Sequence, residues 1–218
     1  KDAFLTQISH ELRTPMTSIR AFSEILQDPD LSDGDRPKYA RIIEDETQRL
    51  TRLLDDLLDL SVLENGQVSL ELSQARLRDI LDRAEASANV EQHIRIRRSA
   101  GREDISILTD PDRLTQVFIN LMSNAAKYCE AQRPELIVSV SETPAAITVD
   151  FIDNGAGVDK ANQDMIFEKF ARASDHSKAG GAGLGLAICR EIISNLGGQI
   201  SYLPGQRGAA FRVSLPRD

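Results

Sequence analysis

Two cysteines, Cys129 and Cys189, are all that the sequence has, and they stand far apart in apolar helical patterns. That excludes a disulfide framework and a cysteine-based metal spacing, and it favours buried free thiols in a reducing compartment. No apolar run approaches the ~20 residues needed to cross a bilayer, and no secretory signal pattern is present. Positive charge is in deficit: the formal net charge is −8, with no basic stretch to offset it, which argues against nucleic acid as a partner. An initiator methionine is also missing. The chain opens inside a helical pattern, Lys1-Asp2-Ala3-Phe4-Leu5. The expectation is therefore a cytoplasmic fragment, attached to a membrane only if a missing upstream region supplies an anchor.

What remains is soluble globular material. The 218 residues are 41% hydrophobic and 28% charged, enough for one large domain or two modest ones. The first 65 or so predict two long helices. Leu5, Ile8, Leu12, Ile19, Phe22 and Leu26 recur in steps of three, four and seven, the stripe of an amphipathic helix ending near Gln27. At about 100° per residue His10 points away from that stripe. Thr14 lies one turn further on the same outer face, and Glu11 is within side-chain reach. Taken alone, an exposed helical histidine is an ordinary solvated residue. Pro15 removes one backbone donor and presses on the carbonyl of Glu11, so a local bend is expected there.

A second helix is predicted from Asp35 to Glu64, stopped by Asn65-Gly66. Its apolar positions are Tyr39, Ile42, Ile43, Leu50, Leu53, Leu54, Leu57 and Leu58. Two such rods make a hairpin with a half-open apolar seam. Pairing with a second copy closes the seam as a four-helix bundle; packing on the rest of the same chain is the alternative.

From Gln67 the pattern changes. Strand-like runs fall at 94–96, 105–108, 136–140, 147–152, 199–202 and 211–215, with helical patterns at 76–88, 112–129 and 184–196. Helices gathered on one face of a mixed sheet make an α+β sandwich. Three motifs here bear on chemistry. Gly180-Gly181-Ala182-Gly183-Leu184-Gly185 opens directly into a helix, where free backbone donors and the positive dipole end suit phosphate. Asp153-Asn154-Gly155-Ala156-Gly157 ends a strand, placing a carboxylate that can accept from an amino group such as adenine's; a plain Asn-Gly turn explains it equally well. Asn120 and Asn124 share one helical face with Lys127 a turn further on. Their amide oxygens suit a hard cation such as Mg²⁺ bridging to phosphates.

In this order the motifs resemble those of the sensor histidine kinases of two-component systems. Ser9 to Pro15 resembles the phosphoacceptor box and Asn120 to Tyr128 the asparagine box. Asp153 to Gly157 resembles the first glycine box, Ile166 to Phe170 the phenylalanine box, and Gly181 to Leu186 the second glycine box. The resemblance covers essentially the whole chain. It implies an all-α hairpin forming a dimeric four-helix bundle (1–66), followed by an α+β sandwich of the Bergerat type that binds ATP (67–218). It further implies His10 as phosphoacceptor, Glu11 as base and orienter, and Thr14 as the residue for dephosphorylating the response-regulator receiver domain. Asp153, Gly155, Gly157 and Phe170 would line the nucleotide site, with Lys127 and Tyr128 by the phosphates. Gly181, Gly183, Leu184 and Gly185 would hold those phosphates, and Asn120 and Asn124 the Mg²⁺. Residues from about Val158 to Ala182 would form a mobile ATP lid, including Arg172. A gyrase- or chaperone-like ATPase is the rival within that fold, but the glutamate such relatives place four residues before the metal-binding asparagine is Asn120 here. A nucleotide-binding scaffold without turnover is the other.

Overall fold

The computed structural model describes residues 2–66, 68–99, 102–171 and 181–217. Arg172, Ala179 and Gly180 of the expected lid lie outside the described residues. Two helices open the chain, α1 (Asp2–Leu26) and α2 (Arg36–Glu64). Arg36 ties their connector by donating to the carbonyls of Leu26 (3.0 Å), Asp28 (3.1 Å) and Leu31 (3.3 Å). Near this end the two helices meet through the stacked rings of Phe22 and Tyr39, 5.6 Å apart. The expected bend at Pro15 does not interrupt the helix: α1 runs through Pro15, which is buried. Phe22 stacked on Tyr39 beyond the proline and Leu12 packed on the buried cluster before it anchor the helix on either side of its one missing donor.

Then follow β1 (Ser73–Arg76), α3 (Leu77–Ala88), β2 (Arg95–Arg98), β3 (Ser106–Thr109) and α4 (Pro111–Tyr128). After them come β4 (Glu135–Glu142), β5 (Ala146–Asp153), α5 (Gly185–Asn195), β6 (Gln199–Tyr202) and β7 (Ala210–Pro216). The main sheet is five-stranded, in the order β2-β4-β5-β7-β6. Only β2 and β4 pair in parallel. The sheet is thus mixed, as expected, but the 105–108 run does not belong to it. That run is β3, which forms a separate antiparallel ribbon with β1.

The start of α4 follows from its cap. Asp110 accepts from the amides of Asp112 and Arg113, each at 3.1 Å, ahead of Pro111 at the first helical position. Its other oxygen accepts from the Glu71 amide at 3.0 Å. The core lies between helices and sheet, where Phe118 of α4 meets Phe151 of β5 at 5.3 Å. Leu53, Leu60 and Leu63 of α2 belong to this same buried cluster. The lower half of the hairpin therefore packs on its own chain, which was the alternative to dimer packing. A second stripe on α2 stays in water: Leu54, Leu58 and Val62, with Leu58 67% exposed.

Candidate functional site

The site is assembled where α4, the end of β5, the β6–β7 turn and the start of α5 converge. Asp153 is the last residue of β5 and is 7% exposed. Its Oδ1 accepts from the amides of Gly155 (2.8 Å) and Ala209 (3.0 Å). Both of these bonds fall on Oδ1, which leaves Oδ2 as an acceptor. Burial pushes the Asp153 carboxyl above its ordinary range, while the two amides pull it back. A carboxylate so placed is a directed acceptor for an amino group.

Glycines make room around it. A Cβ on Gly155 would stand 3.2 Å from Asp153 Oδ1 and 3.3 Å from Cys129 Cα. Gly157 has φ +78°, and its neighbour Val158 donates to the Tyr202 hydroxyl at 3.1 Å. Of the glycines around Asp153, Gly208 is the most confined, because a Cβ there would run into Asp153 Oδ1 and the Asp153 carbonyl and come within 2.7 Å of the Gly155 amide. Sequence reasoning passed over Gly208 and Tyr202. The only signal was a glycine in the turn before β7, which reads as a plain turn. Asn154 turns out to be structural: its Oδ1 accepts from the Glu135 amide (2.9 Å) and Cys129 Sγ (3.2 Å), and its Nδ2 donates to the Arg133 carbonyl (2.9 Å).

The phosphate-loop candidates lie beside α4. A Cβ on Gly181 would stand 3.8 Å from the Tyr128 hydroxyl, and one on Gly185 3.7 Å from Asn120 Oδ1. Gly183, at φ +76°, is pressed against the backbone of Phe170, whose amide donates to its carbonyl at 2.9 Å. Phe170 itself holds φ +61°, an unusual value for a residue with a side chain. Its ring faces Phe4 of α1 at 5.7 Å. Leu184 has its side chain in the core, 1% exposed, so only its backbone is left to meet a ligand. It caps α5 without a side-chain bond, which leaves the first amides of that helix for an anion.

Lys127 and Tyr128 are exposed at the end of α4, and Asn120 and Asn124 are half-buried along it. Cys189 of α5 is fully buried, its thiol pushed up to about 12 chiefly by burial. Both cysteines are free and buried, as expected. From α2, Asp56 lines a groove that also contains Gln116 and Asn120. Burial, together with Asp59 and Asp55, raises the Asp56 carboxyl, against the pull of Lys127 and Arg52. These donors fit an anionic nucleotide with a hard cation: amide oxygens, a lysine, open helix amides and a glycine-lined carboxylate.

His10, Glu11 and Thr14 sit on α1, His10 and Thr14 exposed and Glu11 half-buried. Thr14 Oγ1 donates to the His10 carbonyl at 3.2 Å, and Gln7 Nε2 donates to Glu11 Oε1 at 3.4 Å. Phe4, six residues before His10, reaches Phe170 and so brings the start of α1 onto the α/β domain.

Residues 109–218 match the model of the histidine kinase-, DNA gyrase B- and HSP90-like ATPases, and residues 1–66 that of the His Kinase A phospho-acceptor domain. Sensor protein kinase WalK of Staphylococcus saprophyticus is 35% identical over 98% of this chain and 36% of its own length. The chain thus spans about a third of that relative's length. Among solved structures, histidine kinase ThkA in complex with response regulator protein TrrA is similar in fold, with a TM-score of 0.80 at 23% identity, over 99% of this chain and 61% of that one. Full-length ShkA in complex with AMPPNP superposes with a TM-score of 0.68 at 26% identity, over 99% of this chain and 46% of that one.

Proposed function

This chain belongs to the sensor histidine kinases, and we propose that it phosphorylates its own His10 from Mg²⁺-bound ATP and passes the phosphoryl group to an aspartate of a response-regulator receiver domain. The observation that carries this reading is that one chain combines a solvent-facing His10 with the recessed, half-committed carboxylate of Asp153. The first is a nucleophile; the second is an adenine-type acceptor. Residues 1–66 act as the dimerisation and phosphotransfer hairpin and 67–218 as the catalytic domain, with the hairpins of two copies forming a four-helix bundle.

In the forward step a ring nitrogen of neutral His10 forms a bond to the γ-phosphorus as the bond to the bridging oxygen breaks, and ADP leaves. Glu11 accepts the other ring N–H, orienting the imidazole and stabilising its growing positive charge. Asp153 Oδ2 takes the adenine amino group, the loop Gly181–Gly185 and the first amides of α5 hold phosphate oxygens, and Lys127 balances their charge. Asn120 and Asn124 would hold Mg²⁺, which when bound would neutralise charge on the phosphates. In the reverse sense Thr14 orients a water that removes phosphate from the receiver, once its hydroxyl swings from the His10 carbonyl.

The test is incubation of the purified chain with γ-labelled ATP and Mg²⁺. Acid-labile, base-stable label is expected, and its absence from His10→Ala. Label that survives in His10→Ala would overturn the acceptor assignment, and ATP binding without any label would favour the scaffold reading. Thr14→Ala is expected to impair removal of phosphate from the receiver more than autophosphorylation; equal loss of both would remove its separate role.

A further inference from the structure

The Asp153 carboxylate depends on the residue that follows it. Asn154 leaves β5 with its backbone still in the ladder, its amide donating to the Glu135 carbonyl at 3.1 Å. Its side chain then bonds the same stretch a second time. Oδ1 accepts from the Glu135 amide at 2.9 Å and from the Cys129 thiol at 3.2 Å, and Nδ2 donates to the Arg133 carbonyl at 2.9 Å. A backbone N–H only donates and a carbonyl only accepts, so the two ends of the Asn154 amide cannot exchange places. Cys129 closes α4 and Glu135 opens β4. One side chain therefore ties the end of α4, the start of β4 and the end of β5 together.

The stretch it grips is itself fixed, because the Pro134 carbonyl accepts from the Arg95 amide of β2 at 3.0 Å. What Asn154 fixes in turn is Gly155. The Gly155 amide is one of the two backbone donors on Asp153 Oδ1. The same glycine is pressed on Cys129, whose Cα and Sγ lie 3.3 and 3.4 Å from where a Cβ would stand. The other donor, Ala209, comes from the turn before β7. A carboxylate held from Ala209 alone is free to rotate about its last torsion, a broad one, and to exchange its two oxygens. With Gly155 held in place as well, Oδ1 stays committed and Oδ2 stays the free acceptor.

We propose that Asn154 is a positioning residue for base selection. By pinning the Gly155 amide on Oδ1 it keeps Oδ2 for the adenine amino group, and the site then rejects a purine with a carbonyl oxygen in that place. This rests on the assignment of Asp153 to adenine made above and deepens it.

The experiment measures the affinity of the whole chain for ATP and for inosine triphosphate, which carries that carbonyl, by calorimetry alongside thermal melting. The parent should prefer ATP by at least about tenfold, the effect of one hydrogen bond to a charged group. In Asn154→Ala the preference should fall to within about threefold, as the carboxylate loses its fixed direction. A merely structural asparagine would lower the melting temperature and leave this ratio alone. Asn154→Asp keeps an acceptor for Glu135 and Cys129, and its added charge weakens both triphosphates alike, so its ratio should stay within about twofold of the parent's. Should alanine fail to fold, Asn154→Ser carries the same expectation, its hydroxyl being one bond too short to span Glu135 and Arg133. A parent-like ratio in alanine or serine, or an aspartate variant as unselective as alanine, overturns the proposal. Asp153→Ala separates the two readings. If it keeps the parent's ATP affinity and preference, the adenine assignment itself fails and this proposal with it. If it brings ATP down to the level of inosine triphosphate while Asn154→Ala keeps the preference, the positioning role alone fails.

Discussion

Asp59 on α2 is gripped from α4 by two donors, Arg113 Nη1 at 2.7 Å on one carboxylate oxygen and Gln116 Nε2 at 2.8 Å on the other. Gln116 lies one turn before Asn120, so this link fastens the hairpin to the helix that carries the metal candidates. A second link stands further along, where Lys169 pairs with Glu64 and lies 4.4 Å from the centre of the Phe4 ring. The hairpin base and the ATP-binding domain are thus docked through groups that ionise, above an apolar seam formed by Leu53, Leu60 and Leu63. Such contacts can be released at modest cost, unlike a wholly apolar interface.

Asp59→Ala leaves Arg113 and Gln116 without their partner and should loosen this docking. A double-mutant cycle with Arg113→Ala is expected to give a coupling of about 1–2 kcal/mol, reasonable for a half-buried charge-assisted pair. Amide exchange in α2 around Leu57 to Glu64 should quicken in the same variants. Additivity within about 0.3 kcal/mol would mean that the pair contributes nothing to docking.

Gly208→Ala should damage both fold and site. The added methyl meets backbone on two sides, the Asp153 carbonyl and the Gly155 amide, as well as Asp153 Oδ1. None of these is the free end of a flexible chain. Overpacking of this kind costs about 1–3 kcal/mol, and the displaced carboxylate should lower ATP affinity by at least about tenfold. Gly205 is the control: its φ is +79° but nothing lies within 4 Å of its added Cβ. Gly205→Ala should lose about 1 kcal/mol of stability from backbone strain and keep its nucleotide affinity. Equal ATP binding by the two variants would refute the cradle.

Asp153→Asn should separate stability from function. Burial raises the Asp153 carboxyl, so the folded chain holds that proton more tightly than the unfolded one. Stability then falls as pH rises from the unfolded carboxylate value through the raised folded value, and the penalty is fully present above it. Asparagine keeps an oxygen for the Gly155 and Ala209 amides but carries no charge, so it escapes the penalty. Its Nδ2, placed where Oδ2 was, would face the adenine amino group donor to donor. The expected result is a melting temperature at pH 7 equal to or above the parent's, with the advantage shrinking toward pH 4, and ATP binding lost. Asp56 is raised in the same direction and remains in both chains, so the difference between their melting curves isolates Asp153. A variant that binds ATP normally would remove Asp153 from the site.

Much of this was legible in the sequence because the cues were local. The α4 start follows from Asp110-Pro111, and β6 from the run Gln199–Tyr202. Where the cause lay elsewhere in the chain, reading failed. Ser73-Gln74-Ala75-Arg76 has no apolar alternation and becomes a strand only because β3 pairs with it. Gly208 is required by Asp153, and nothing in its own neighbours says so. Asp59 and Arg113 look like ordinary surface charges until the two helices meet. Leu184 fell within the loop motif but packs inward, since a motif does not tell which atoms of its residues reach the ligand.

The apolar seam left open on α2 gives the last test. Leu54, Leu58 and Val62 recur every fourth residue, so they line one side of the helix, while Leu53, Leu60 and Leu63 fill the core on another. On α1, Leu5 and Met16 are 60% and 57% exposed; eleven residues is close to three full turns, so they too share a face. Apolar stripes on both helices of one hairpin are what a second hairpin would cover, each buried leucine contributing about 1.5–3 kcal/mol. Leu58→Glu places a carboxylate in the middle of that stripe and, by symmetry, does so twice in a dimer. Sedimentation should show a dimer for the parent and a monomer for Leu58→Glu at micromolar concentration. Because the side chain is in water within one copy, the monomer should keep its fold and its ATP affinity. A parent chain that sediments as a monomer, or a variant that stays dimeric, would mean that this stripe is not where two copies meet.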